Sequence, residues 1–190
     1  MTTFALPEAL ITSRLVLRRW RLEDREPFAA MNADPRVMEF MPETLSREKS
    51  DALAARVDQM FDVRGYGLWA VELRSTSEFI GWTGLSQPTW NAHFTPAVEV
   101  GWRIAAAHWN QGYATEAARV ALSDGFARVG LDGVVSFTTY ANHRSRRVME
   151  KLGMRHEPRE DFAHPALPVD HPLCPHVLYR LRASEFGDVR

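Results

Sequence analysis

EVGWRIAAAHWNQGYATEA, residues 99–117, passes from an alternating run through a glycine-centred loop into a helix-forming segment. Over residues 98–104, Val98, Val100, Trp102 and Ile104 fall on one face and Glu99, Gly101 and Arg103 on the other, which predicts a strand. A helix is predicted to open near Ala114. Such a junction leaves several backbone N–H groups without partners and puts the positive end of a helix dipole beside them, so it attracts anions. Gly112 permits a positive φ and close approach to a phosphate, Ala114 keeps the path clear and Thr115 adds a hydroxyl donor. A lone glycine between strand and helix is also ordinary turn punctuation. The helix that follows adds weight, because Ala114, Ala117, Ala118 and Ala121 let it lie close to a sheet and aim its N-terminus. A pyrophosphate suits this chemistry.

The neighbouring segments give the surroundings. Downstream, residues 134–140 are β-branched and aromatic, residues 144–152 are helical in pattern, and Gly153 is placed to be the C′ residue of that helix. Upstream, three short strand-like runs at 68–73, 79–85 and 98–104 predict an antiparallel meander. Before them come a strand over 13–20, with Leu15 and Leu17 on one face, and a helix for which Asp24 is the expected N-cap. A second helix is predicted from Ser46, with Leu53, Val57, Met60 and Phe61 at helical spacing and Gly65 and Gly67 at its end. The segment 157–176 is rich in proline and precedes a final strand over 177–181. No internal repeat or linker divides the chain, so one α/β domain over 1–190 is expected.

Composition narrows the function classes. With 23 Lys and Arg against 24 Asp and Glu, net charge −1, and no basic blocks, the chain lacks the basic stripe that neutralises phosphates in nucleic-acid-binding domains. Cys174 is the single cysteine, so no intrachain disulfide can form. The opening MTTFALPEAL has neither a basic region nor a long apolar run, and no stretch approaches 18 apolar residues. A cytoplasmic protein without membrane or nucleic-acid partners is expected. Its oligomeric state stays open between monomer and homodimer.

WNQGYATEA resembles the acetyl-CoA-binding motif of the GNAT superfamily, [QR]xxGx[GA], in the form found in RimJ/RimL-type enzymes, with Trp109 standing where Gln or Arg is usual. ANHRSRRVMEKLGM, residues 141–154, is similar to the element that follows in that superfamily, and ITSRLVLRRWRLED is similar to RimJ/RimL-type N-termini. The resemblance implies a mixed, mostly antiparallel seven-stranded sheet with splayed central strands and helices on both faces. It implies an N-acetyltransferase that carries an acetyl group from acetyl-CoA to a primary amine, either a protein N-terminal α-amine or a small-molecule amine. It also implies that the strands ending at Ile104 and Tyr140 part, with pantetheine between them pairing backbone groups near Trp102 and Ile104. The pyrophosphate would sit on amides of Asn110, Gln111, Gly112, Tyr113, Ala114 and Thr115, and Asn142 would bond the pantetheine arm. Arg144 and Arg147 are candidates for the adenosine 3′-phosphate, although a basic helix face is more often solvated.

Two side chains are candidates for proton transfer. Glu99 stands where many GNAT enzymes carry a glutamate base; its alternative role is an ion-paired or solvated strand carboxylate. Where many members carry a tyrosine that protonates the departing thiolate, this chain has Met149, which cannot do so. Ser145, three residues after Asn142, is the substitute used in RimL-like enzymes, and its alternative role is hydrogen bonding in the first turn of a helix. His164, His171, Cys174 and His176 lie within thirteen residues, yet their spacing matches no structural zinc pattern, so no metal is expected. The segments 157–176 and 87–96 are expected to line the acceptor side, with Trp90 near its entrance. A non-catalytic CoA-binding module and a metal-binding protein are the rival readings.

Overall fold

The computed structural model describes residues 5–187, so the ends of the expected 1–190 domain, including the first four residues of the N-terminal segment, lie outside the described residues. Nine strands run in chain order: β1 (Ala9–Ile11), β2 (Leu15–Arg18), β3 (Leu68–Leu73), β4 (Phe79–Ser86), β5 (Glu99–Ile104), β6 (Gly133–Thr139), β7 (Arg155–His156), β8 (Phe162–Ala163) and β9 (Pro175–Arg182). The helices are α1 (Arg25–Ala33), α2 (Arg47–Arg64), α3 (Tyr113–Asp124) and α4 (His143–Lys151). The sheet order is β1-β2-β3-β4-β5-β6-β9-β7, with β8 also paired to β9. All pairings are antiparallel except that of β5 with β6. The count exceeds the expected seven because β1, β7 and β8 are two or three residues long, too short to show a period of two in the sequence.

The local chemistry explains the elements. α2 starts where Ser46 accepts a hydrogen bond from the Lys49 amide and stops at Gly65, whose φ of 71° is left-handed. Asp24 does not cap α1. Its carboxylate instead accepts from Arg18 Nη1 at 2.7 Å and Nη2 at 2.8 Å, while Arg18 Nε donates to Glu72 at 2.6 Å. A buried guanidinium outbids a helix terminus for the nearest carboxylate, because an unpaired buried charge costs far more than a missing cap. α3 ends at Asp124, and a π-helical turn, Gly125–Val129, carries the chain on.

The two sheet faces are covered differently. On one, Phe28 and Met31 of α1 and Ala54 of α2 pack with Trp20, Phe79 and Trp82. On the other, Ala118 and Leu122 of α3, Met149 of α4 and Leu152 just after it pack on Val100, Val134, Val177 and Leu181. Ala117 and Ala121 bring α3 close to Leu15, Leu17 and Val71. The alternation of β5 is therefore split as the sequence predicts: Val100 joins the α3 core, while Arg103 faces α1 and donates to Asn32 Oδ1 at 2.6 Å.

The sheet is interrupted at its centre. β5 and β4 hold a continuous register from Gly81 opposite Ile104 to Ser86 opposite Glu99, and β6 and β9 pair along the whole of β6. β5 and β6 share one register pair, Glu99 opposite Val135, fastened by the Val135 amide on Val98 O at 2.8 Å. Beyond it they diverge, which leaves a wedge between two strand edges.

Candidate active site

A cavity of about 840 Å³ fills this wedge and opens on both faces of the sheet. Gly101 to Ile104 and Ser136 to Thr138 form its walls, the β5–α3 loop and the start of α4 close one side, and residues from 37–42 and 164–176 the other. Because the Ala105 amide bonds Ile80 O on β4, the alternation of an antiparallel ladder turns the backbone groups of Trp102 and Ile104 toward the wedge.

At one end of the wedge the chain forms a nest of amides. Asn110 and Gly112 both have positive φ, 62° and 82°, and the first helical hydrogen bond of α3 runs from the Glu116 amide to Gly112 O. The amides of Tyr113, Ala114 and Thr115 therefore precede the first intrahelical donor, the Glu116 amide, and lie at the positive end of the α3 dipole. These three residues, Asn110 and Gly112 line the cavity. Gln111 does not; it is exposed, and its carbonyl accepts from Arg14 Nη1 at 3.0 Å, so the expected ligand faces outward. Arg14 also pairs with Glu116 at 2.6 Å and lies over the Tyr113 ring at 4.6 Å, and Thr12 Oγ1 donates to Glu116 at 2.6 Å. The start of β2 thus braces the loop from behind, a contact between segments a hundred residues apart that no local pattern reveals.

Trp109, the departure from the usual motif, donates its indole N–H to Ile104 O at 2.7 Å and carries the Arg144 guanidinium 4.4 Å above its ring. Arg144 is paired with Glu39 at 2.6 Å, while Arg147 is exposed at the cavity rim. Asn142 is the N-cap of α4: Oδ1 accepts from the Ser145 amide at 3.1 Å and Nδ2 donates to Thr138 Oγ1 at 2.9 Å. Both ends of its amide are engaged within the protein. Ser145 lines the cavity, and its hydroxyl has no hydrogen-bond partner among the described residues. Met149 is buried in the α4 core and does not reach the cavity.

Glu99 sits at the apex of the wedge, on the α1 face. Burial pushes its carboxyl from the ordinary 4.5 up to about 7, against one opposing hydrogen bond from Ser86 Oγ at 3.4 Å. No cation pairs with it among the described residues, which sets aside the ion-paired alternative. Between Glu99 and Arg103 this face of the strand carries only Gly101, over which the Trp82 ring and Glu99 Oε1 lie 3.5 and 3.7 Å from the position a Cβ would take, and all four residues line the cavity.

The acceptor-side wall differs from expectation. His164, Ala166, Leu167, Leu173 and His176 from 157–176 do line the cavity, but no residue of 87–96 does. Trp90 packs with Phe94, Phe137, Phe162 and His164 at centroid distances of 4.8 to 5.8 Å, a buttress beneath the wall instead of an entrance. The second wall is Val37, Phe40, Met41 and Pro42, between α1 and α2. The only sequence signal there is apolar residues in a segment with no helical or strand period. His164 and His176 lie 4.9 Å apart, and burial lowers both below the ordinary histidine range, so both are neutral at pH 7. Among the described residues, no group of three or more His, Cys, Asp or Glu is disposed to hold a metal.

Residues 14–155 match the family model described as an acetyltransferase (GNAT) domain. The chain belongs to the GNAT acetyltransferase family. A relative from Aspergillus fumigatus, FsC-acetyl coenzyme A-N(2)-transacetylase, is 32% identical over 82% of this chain and 68% of its own length. A GNAT-family acetyltransferase structure from Bacillus anthracis superposes with a TM-score of 0.77 at 25% identity, covering 93% of this chain and 99% of the other. Mycobacterium smegmatis RimJ shares the fold, with a TM-score of 0.73 at 20% identity over 92% of this chain and 85% of its own. The GNAT chain is thus an acetyltransferase. Among its described residues, no helix is long and apolar enough to cross a membrane.

Proposed function

We propose that this GNAT protein transfers the acetyl group of acetyl-CoA to a primary amine, either a protein N-terminal α-amine or a small monoamine. The observation that carries the reading is the wedge between β5 and β6 with the amide nest of residues 113–115 at one end and Glu99 at its apex. The residues present fit the cosubstrate: a nest of unpaired amides for a pyrophosphate, two strand edges open to an amide-bearing arm except at Ile104 O, which the Trp109 indole occupies, and a left-handed Gly112 that opens the approach. When bound, acetyl-CoA supplies an activated acyl group. The aspergillus relative, whose name includes acetyl coenzyme A, supports the same choice.

The chain's own residues would do three things. The backbone N–H groups of Trp102 and Ile104 hold and polarise the acyl carbonyl, an oxyanion-type contribution that needs no side chain. Glu99 takes a proton from the attacking amine; a carboxyl near 7 is matched to an amine of pKa about 7.7–8.0 and poorly matched to a lysine at about 10.4. Ser145 offers its hydroxyl to the departing thiolate. A Ser145→Ala variant is expected to lose about ten- to a thousandfold in kcat with little change in acetyl-CoA affinity. Equal kcat in the two proteins would leave Ser145 a first-turn residue of α4.

The acceptor wall is apolar, with two neutral histidines and the guanidinium of Arg103. Among the described residues, no acidic cluster faces a polycation there. Peptides with a free N-terminus and uncharged side chains, or monoamines, should therefore be acetylated faster than polyamines or aminoglycosides. Comparing kcat/KM over such a panel, with acetyl-CoA as donor, tests the reading, and a clear preference for polycations would overturn it.

A further inference from the structure

Arg18 and Arg103 both reach inward from the sheet, and they are treated in opposite ways. Arg18 is clamped by Asp24 and Glu72, with three charge-assisted bonds of 2.6 to 2.8 Å. Among the described residues Arg103 has no carboxylate partner and makes one side-chain hydrogen bond, from Nη1 to Asn32 Oδ1 at 2.6 Å; Asn32 is itself fixed by donating to Ser50 Oγ at 2.8 Å, Asn32 and Ser50 being fully buried. Trp82 lies under the guanidinium at 5.5 Å. Burial lowers the pKa of Arg103 to about 10, and no acidic neighbour offsets it.

A guanidinium held by a neutral relay and an aromatic face is oriented but not neutralised. Desolvating a cation without a counter-charge is unfavourable, so an uncompensated one at the wall of a cavity marks the place of an anion. Nε and Nη2 have no partner among the described residues, which leaves donors for a planar, bidentate anion. Arg103 shares its face of β5 with Glu99, four residues away, with Gly101 between them, so the two side chains project from points roughly 13 Å apart along the strand. The long arginine side chain shortens that span. This face is turned toward α1 and away from the α3 amide nest, so the anion is not the pyrophosphate.

We propose that Arg103 binds a carboxylate of the acceptor, and that the preferred acceptors are amines that also carry a carboxylate. This rests on the acetyl-transfer reading and names the substrate class of the same site. The carboxylate can be the α-carboxylate of an amino acid or an acidic side chain near a peptide N-terminus. Both offer the same planar, bidentate group, and two arms of one experiment tell them apart.

The test is kcat/KM with acetyl-CoA for matched pairs: free amino acids against their α-carboxamides, and N-terminally free peptide amides with Glu against Gln among their first residues. In the wild-type protein the carboxylate member of at least one arm is expected to be faster by about ten- to a hundredfold, the span of a charge-assisted bidentate contact. In Arg103→Gln that ratio should fall toward one, and in Arg103→Lys part of it should remain. The wild-type ratio decides even where a variant folds poorly. Ratios near one in both arms, or a ratio that survives in folded Arg103→Gln, would overturn the assignment while neutral amines still turning over leave acetyl transfer standing. Absence of turnover with every amine would remove both.

Discussion

Gly112→Val should lower acetyl-CoA affinity at least a hundredfold while the protein stays folded. A Cβ at position 112 would meet only Arg14 Nη2, at 3.5 Å, an ordinary contact, so the substitution creates no clash. The cost lies in the backbone. With φ at 82°, Gly112 is left-handed, and a β-branched residue there costs on the order of 1–3 kcal/mol or drives the loop into another conformation. Relief of that strain by the second route turns the amides of residues 113–115 away from their common focus. Gly130 provides the control: it too is left-handed, at 77°, with nothing within 4 Å of an added Cβ, and it lies outside the cavity. Gly130→Val should pay a similar strain and keep its affinity for acetyl-CoA. Calorimetry on both variants, with melting curves alongside, checks the pair, and equal affinity in Gly112→Val and wild type would sink the assignment of the nest.

Replacing Glu99 by Gln should cut kcat/KM by about a hundred- to ten-thousandfold, the range of a lost general base. The pH profile makes this specific to proton transfer. A base must be ionised, so wild-type kcat/KM should rise as pH passes about 7, and that inflection should stay in place when acceptors of different amine pKa are compared. Stability supplies a second reading of opposite sign. The folded carboxyl near 7 lies above its unfolded 4.5, so the folded state binds the extra proton between these values. The stabilisation it brings is complete below about 4.5 and lost as pH rises through 7. At pH 8 Glu99→Gln should therefore be more stable than wild type, by about 1–3 kcal/mol. A carboxylate held by an ion pair would give the reverse. Chemical denaturation at pH 5 and pH 8, beside the rate profiles, separates the two; a variant that is less stable at pH 8 and nearly as active would return Glu99 to a structural role.

The amide nest was legible in the sequence because its chemistry is local: a glycine, small residues and a helix start within six positions announce unpaired amides. The alternation of β5 was equally legible, since a period of two needs only one strand. What escaped was nonlocal. Arg14 bracing Glu116, the wall of Val37, Phe40, Met41 and Pro42, and the neutral surroundings of Arg103 each depend on segments brought together by the sheet order. Asp24 was misread for another reason: a helix-start pattern predicts a cap, while the competing partner Arg18, six residues back, is drawn inward beside Glu72. Trp90 and the 87–96 loop were assigned to the acceptor wall from their aromatic and proline content, which marks packing as readily as recognition. Gln111 stands in the expected run of amides but outside the cavity lining, between two left-handed residues and with its carbonyl bonded to Arg14, a placement that depends on β2 and not on the local pattern.

The single register pair between β5 and β6 has a mechanical meaning as well. β1 to β5 form one plate and β6 to β9 another, joined through the backbone at one corner and otherwise through side chains that α3 and α4 lay across the seam. An occupant whose own amides bond both edges would act as the missing strand between the plates. The width of the notch, and with it the distance across which acyl donor and amine must meet, would then be set by the guest as much as by the protein.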